Sequence, residues 1–383
     1  MSIIVHGARK LDADGSVDDF WLAASADRIT ATGTGDGWRA VAAADPAAAV
    51  TDAAGRWLTP GFIDLHGHGG GGADFDHSAD GIRTALAVHR AHGTTRSVLS
   101  LVTNPVDALA TSLAVIADLA ESDPLVLGSH LEGPFLADSH RGAHNPELLI
   151  EADASTIAEL LAAARGTLRQ VTIAPELPGG LDAVGAFADA GVVVAVGHSA
   201  ATFEQAQAAF DRGATLVTHA FNALPGIHHR RPGPVVAAFG DERVRLELIL
   251  DGVHVRPEVA ALAFTAAPGR IALISDAMAA AGSADGHYEL GSLDVTVTDG
   301  VARLTDGGSI AGSTLTLDVA LKNAVELVGL DPVVAVTALT LTPARVLGRD
   351  AEFGLLAEGY AADAVLLDAT FTVDRVWANG AAP

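Results

Sequence analysis

Cysteine is absent from the 383 residues, which excludes disulfides, thiolate metal ligands and a cysteine nucleophile. Lysine is nearly absent: only Lys10 and Lys322 occur, and neither ends an apolar run. Positive charge as a whole is scarce, with 23 Lys plus Arg against 47 Asp plus Glu and a formal net charge of −24. A surface of that sign repels phosphate backbones and anionic lipid, so neither a nucleic acid nor a membrane is expected as partner. An anionic small substrate would need a local cationic pocket. The mean hydropathy is high at +0.33, yet no stretch approaches the ~20 uninterrupted apolar residues of a membrane helix. The start, MSIIVHGARKLDADG, lacks the pattern of a signal peptide, so a cytoplasmic location is expected. What remains, 49% hydrophobic and 18% charged residues, can bury a large core.

Both ends of the chain alternate like short strands, in SIIVHGARKL, DFWLAASADRITATG and RWLTPGF and again in GLLAEGYAADAVLLDATFTVDRVWANG. This predicts one small β-sandwich domain from residues 1–59 and 350–383. Between them, apolar runs at 62–66, 94–102, 125–132, 170–176, 192–198, 214–219, 244–251 and 270–276 alternate with Ala-rich helical segments. Continuous apolar strands alternating with helices are parallel βαβ units, and eight of them close a (β/α)8 TIM-type barrel. The α/β barrel is therefore placed at 60–349, with a hairpin-like insert at 286–313. A doubly wound open sheet is the rival, but no G-x-G-x-x-G follows the first strand.

Active sites of such barrels form at the C-terminal ends of the strands. The runs end with His66 and His68; His130 and Glu132; His198; His219; Asp251 and His254; and Asp276. A strand period of two puts Asp64, His66 and His68 on one side. Imidazole and carboxylate are ligands for Zn²⁺ and similar divalent ions, so a metal site at the barrel mouth is expected. Zinc heads the candidates, with Fe²⁺, Co²⁺ and Mn²⁺ also compatible. No lysine is available for a carbamylated bridge, which leaves Glu132 as candidate bridge or ligand. Asp276 reads as a general base and acid beside metal-activated water, or else as the cap of a helix. His89 and His92, on the helix leading into the second strand, read as surface residues.

The segments PGFIDLHGHG, HLEGPF, GAHNP, VGHS, THAFNALP, DGVH and SDAM, in this order, resemble the amidohydrolase superfamily. Within it they look like the family of N-acetylglucosamine-6-phosphate deacetylases, and LTPARVLG and EGYAADAVLLD resemble its barrel exit and small β domain. The resemblance implies metal-dependent removal of acetate from N-acetylglucosamine 6-phosphate in amino-sugar catabolism and cell-wall recycling. It implies Glu132, His198 and His219 as principal metal ligands, His66 and His68 as the pair for a second ion, and Asp276 as catalytic acid and base. His144 would contact the sugar and orient the acetamide. Asn222 and Ala223 would offer backbone groups to the phosphate, with Arg230 and His254 as cationic partners; the adjacent Arg231 leaves the choice of arginine open. A homodimer is implied, because the family often takes part of this clamp from a neighbouring subunit. Alternatives are an N-acetylgalactosamine 6-phosphate or other amino-sugar deacetylase, hydrolysis of a cyclic amide or nucleobase, and a non-catalytic barrel.

Overall fold

The computed structural model describes residues 2–382. Eight strands, Phe62–Asp64, Thr94–Leu101, Val126–Glu132, Leu168–Ile173, Val193–Val196, Ala214–Val217, Arg245–Ile249 and Ile271–Ile274, form one sheet in chain order. The ladders registered between the second and eighth strands are all parallel, and helices separate the strands as a (β/α)8 barrel requires. Seven strands lie within the expected runs, and the fourth, Leu168–Ile173, overlaps the run at 170–176 but starts two residues earlier. In five of them the ladder stops at Asp64, Val196, Val217, Ile249 and Ile274, two residues short of the polar residue ahead. Of those residues, His66, His198, His219 and Asp276 enter the two buried groups described below, while Asp251 bonds His254.

No ladder joins the first and eighth strands among the described residues. Beyond the strand ends, the Asp276 amide donates to the His66 carbonyl at 2.8 Å and the His68 amide to the Ala277 carbonyl at 2.7 Å. The seam is thus closed by the same segments that carry candidate ligands.

Helices pack by their apolar stripes. Val106–Ser122 buries Leu109, Leu113, Ile116, Ala117 and Leu119. On Ala79–Ala91, Ile82, Ala85, Leu86 and His89 share one buried face. His89, expected at the surface, is therefore only 4% exposed: its spacing of three from Leu86 puts it on that stripe. After the eighth strand, the insert is a three-stranded meander, Gly286–Leu290, Leu293–Thr298 and Val301–Leu304, with one strand more than a hairpin. Its Leu290, Val295, Val297 and Ala302 pack with Val102, Met278 and Ala279.

The chain ends meet in a seven-stranded sheet, in which Ser2–Asp12 pairs with Gly15–Ser25, Ala49–Asp52 and Trp57–Pro60, and Ala364–Leu367 joins from the far end. Hydrogen bonds link all seven strands into one sheet rather than two separate ones. Ser2–Asp12 is long enough to hold one neighbour beside Ile3–His6 and another beside Arg9–Lys10. Strand alternation sorts its core: Ile3, Val5, Phe20, Leu22 and Ala24 face one cluster, while Ile4, Trp21 and Ala23 face another with Trp38 and Val41. The compact units are cut at other residues than 59/60 and 349/350. One takes in the chain up to Asp64, His89–Arg96 and the chain from Leu317; the other is Leu65–Val88 with Ser97–Thr316. Helices beyond Leu317 fall with the terminal sheet because Pro332–Leu339 packs on Ser2–Asp12. All residues of the candidate site lie in the second unit.

Candidate active site

Two buried groups of three residues that could hold a metal ion, referred to below as the ligand groups, meet at the barrel mouth: His66, His68 and Asp276, and Glu132, His198 and His219. Glu132, the last residue of the third strand, lies between them. Its Oε1 is 3.0 Å from His198 Nε2, 3.0 Å from His219 Nε2 and 3.4 Å from His66 Nε2, while Oε2 is 3.1 Å from His68 Nε2. Asp276 Oδ1 lies 3.3 Å from His68 Nε2 and 3.5 Å from His66 Nε2. His198, His219 and Asp276 reach these places with left-handed backbone, at φ 45, 25 and 47°. Non-glycine residues rarely adopt that region, and strain held there is common where side chains must be aimed at a site. No helix follows Asp276 until Leu317, so it caps none.

Like atoms converge here as they do around a cation. The Nε2 atoms of His198 and His219 are 2.9 Å apart, and those of His66 and His68 3.2 Å; ligands held about 2.0–2.2 Å from one tetrahedral ion would lie about 3.3–3.6 Å apart. The electrostatics agree. Burial would raise the Asp276 carboxyl, but the His66 and His68 imidazoles hold it down to about 2. Glu132 is likewise held well below its ordinary value against burial, by His66 and the bonds from His144, His198 and His219. Burial pulls His68 down, yet the bonds to Asp276 and Glu132 bring it up to about 9. His198, dominated by burial, falls to about 4. Buried anions need compensating positive charge, and the ligand contacts of Glu132 and Asp276 include no Lys or Arg among the described residues. The donor set fits divalent cations, which would supply that charge.

The centre opens into a cavity of about 280 Å³ lined by His68, Glu132, His198, His219 and Asp276 and also by His144, Asn222, Ala223 and His254. The insert supplies Leu290, Ser309 and Ile310 to its wall. His144 accepts from the Thr103 amide at 3.4 Å through Nδ1, which is also 2.9 Å from the Thr103 hydroxyl. An amide can only donate, so Nε2 carries the proton, 3.5 Å from Glu132 Oε2. Gly133 makes this possible, since a Cβ there would lie 2.2 Å from Thr103 Oγ1. His254 donates through Nδ1 to Asp251 at 2.7 Å. Burial raises the Asp251 carboxyl, but the bond and charge of His254 outweigh it and hold it below the ordinary value.

Arg230 does not line this cavity: a tight turn, with Arg231 N–H donating to His228 O at 2.9 Å, leaves it exposed in a separate cavity of about 370 Å³ beside Arg231 and His228. The Asn222 backbone N–H already donates to His219 O at 3.0 Å, and backbone carbonyls, being acceptors, cannot hold phosphate. Of the backbone groups expected to hold phosphate, the Ala223 N–H remains. Asp64 is buried but belongs to neither ligand group. His130 is not brought to the ligands either; it bonds Ser100 and Thr172 hydroxyls at 2.8 Å inside the barrel, where burial keeps it neutral. Sequence reasoning missed Thr103, Gln170 and Glu247. Thr103 lies two residues past its strand, the same offset as His198, His219 and Asp276. Glu247 interrupts the apolar strand RLELI, a signal that a buried charge has a purpose.

An eight-stranded barrel with paired histidine–carboxylate groups at its strand ends is the architecture of a metal-dependent hydrolase. Residues 57–382 match the model of the amidohydrolase family. The chain is 40% identical over 385 residues to N-acetylgalactosamine-6-phosphate deacetylase of Escherichia coli O157:H7, covering 99% of both chains. It is 35% identical over 331 residues to N-acetylglucosamine-6-phosphate deacetylase of Vibrio furnissii, covering 84% of this chain and 82% of that one. The solved point mutant of N-acetyl-D-glucosamine-6-phosphate deacetylase of Mycobacterium smegmatis, in complex with N-acetyl-D-glucosamine-6-phosphate, superposes with a TM-score of 0.92 at 40% identity, covering 100% of this chain and 99% of that one. The chain belongs to the amidohydrolase family, within its branch of amino-sugar-phosphate deacetylases, which are amide hydrolases.

Proposed function

We propose that the protein hydrolyses the acetamide of N-acetyl-D-glucosamine 6-phosphate to acetate and glucosamine 6-phosphate, in amino-sugar catabolism. The observation that carries this reading is one cavity lined by members of both ligand groups, Asp276 among them, and by His144 and the Asp251-supported His254. Glu132, His198 and His219 would hold one divalent ion, and His66, His68 and Asp276 a second, with Glu132 facing both. Zinc suits this all-N/O set best; iron, cobalt and manganese also fit. Bound ions would supply Lewis acidity, acidifying water and polarising the amide carbonyl.

The chain's own residues do the rest. Asp276, held anionic, accepts the proton of the attacking water and passes it to the departing amine nitrogen. His144, its tautomer set by Thr103, donates from Nε2 to the oxygen on which negative charge grows. His254 and the Ala223 N–H hold the phosphate end and so keep the amide at the centre. Arg230, turned away from its own cavity, fits a homodimer in which it reaches the phosphate bound by the neighbouring copy, Arg230 rather than Arg231 being the clamp. Permanently charged and bidentate, an arginine suits that task in a chain of charge −24. The protein would act in the cytoplasm on this small molecule.

The test is acetate release from N-acetylglucosamine and N-acetylgalactosamine, each with and without the 6-phosphate. Wild type should prefer N-acetylglucosamine 6-phosphate. Charged hydrogen bonds contribute roughly 1.5–3 kcal/mol, so Arg230→Ala or His254→Ala should lower kcat/KM about 10- to 150-fold on the phosphorylated sugar alone. Arg231→Ala should change little. Preference for an unphosphorylated sugar would overturn the reading, and preference for the galacto epimer would move it to that substrate.

A further inference from the structure

We propose that Glu247 is the positioning residue of the metal centre, fixing the tautomer and aim of His66 from beneath the ligand layer. Glu247 is fully buried in the middle of the seventh barrel strand, Arg245–Ile249. Its Oε2 receives the His66 Nδ1–H at 3.1 Å and the His219 backbone N–H at 3.3 Å. Its Oε1 receives the side-chain N–H of Gln170 at 2.7 Å. The carboxylate therefore answers three donors from three different strand regions, and it touches one member of each ligand group.

The consequence for His66 is direct. A proton held on Nδ1 by Glu247 leaves the Nε2 lone pair facing Glu132 and Asp276, where an ion would bind. A carboxylate behind the ring also makes that lone pair a stronger donor, and such supporting groups change metal affinity by roughly 10- to 100-fold. His198 obtains the same service from a backbone carbonyl, His140 O, at 3.0 Å from its Nδ1. The Nδ1 atoms of His68 and His219 have no hydrogen-bond partner among the described residues. Among the described residues, Glu247 is thus the one side-chain carboxylate at the Nδ1 of any of the four imidazoles, and it stands behind His66.

Glu247→Gln keeps the size but leaves a single oxygen for three donors and can turn an N–H toward His66. The inference rests on the metal part of the proposed function, and the readouts are metal binding rather than turnover. Ions are counted by elemental analysis after chelator dialysis, and Co²⁺ is titrated in while its visible absorption is followed. Wild type should bind two ions. Glu247→Gln should weaken one of them about 10- to 100-fold, alter its Co²⁺ spectrum and leave the other in place. In a His66→Asn background the same exchange should change nothing further. If Glu247→Gln does not fold, Glu247→Asp carries the measurement, with the same direction expected. Unchanged affinity and spectrum, or an equal further loss in the His66→Asn background, would overturn the assignment and leave Glu247 a packing residue. A wild type that binds no ion would sink the metal centre itself. Two ions with the expected loss but no deacetylation would sink only the proposed substrate.

Discussion

The two ligand groups have the same chemistry, two imidazoles and a carboxylate each, but different foundations. His198 and His219 follow neighbouring strands, and each sits on left-handed backbone two residues past its ladder. His198 is steadied by a main-chain carbonyl. His66 and His68 lie on the seam between the first and eighth strands, in a segment tied to Asp276 and Ala277 by amide hydrogen bonds, and His66 is steadied by a side chain. Main-chain support is built into the fold, whereas side-chain support is open to substitution. The group on the seam is therefore the more easily lost, and Glu132 is the element that both share.

Removing the shared element should have the largest effect. Glu132→Gln removes the carboxylate of one group and weakens the contacts that it makes with His66 and His68 of the other, so both ions should be lost and activity should fall by more than about 10⁴-fold. Elemental analysis of the purified variant showing two ions would break the comparison. Next comes Asp276→Asn, which keeps the shape but cannot accept a proton; kcat should fall by roughly 10²–10⁴-fold while KM changes much less. Near-normal turnover with metal bound would reduce Asp276 to a ligand.

The double replacement His66→Asn with His68→Asn probes the seam group alone. One ion should disappear and the other stay, with stoichiometry read by elemental analysis and folding by circular dichroism. Loss of both ions would mean that the groups do not bind independently. The smallest effect belongs to the Asp251–His254 pair. Asp251 titrates below its ordinary value, so the stability that it contributes is present above the usual carboxylate range and is lost as pH falls through the lowered value. Comparing Tm of wild type and Asp251→Asn from pH 6 to pH 3, the wild-type advantage should shrink toward the acid end. An advantage that grew on acidification would refute the sign.

Local pattern determined much of this protein. Eight apolar runs separated by helical segments specify parallel βαβ units, and each residue of the two ligand groups ends a run or lies just past one, as Glu132, His198 and Asp276 show. The alternation in SIIVHGARKL likewise marked a strand, whose residues the structure divides between two cores. Tertiary structure alone decided the rest. Whether a buried polar residue is a ligand depends on what stands opposite: His130 meets Ser100 and Thr172 and is satisfied, while His66 meets Glu247, 181 residues away. The turn that faces Arg230 away from its own cavity, and the helix face that buries His89, follow from chain geometry beyond a single run. The reason is physical: period and propensity act over a few residues, whereas hydrogen-bond satisfaction and charge pairing in a low-dielectric interior are settled only when polar groups from distant strands come within about 3 Å.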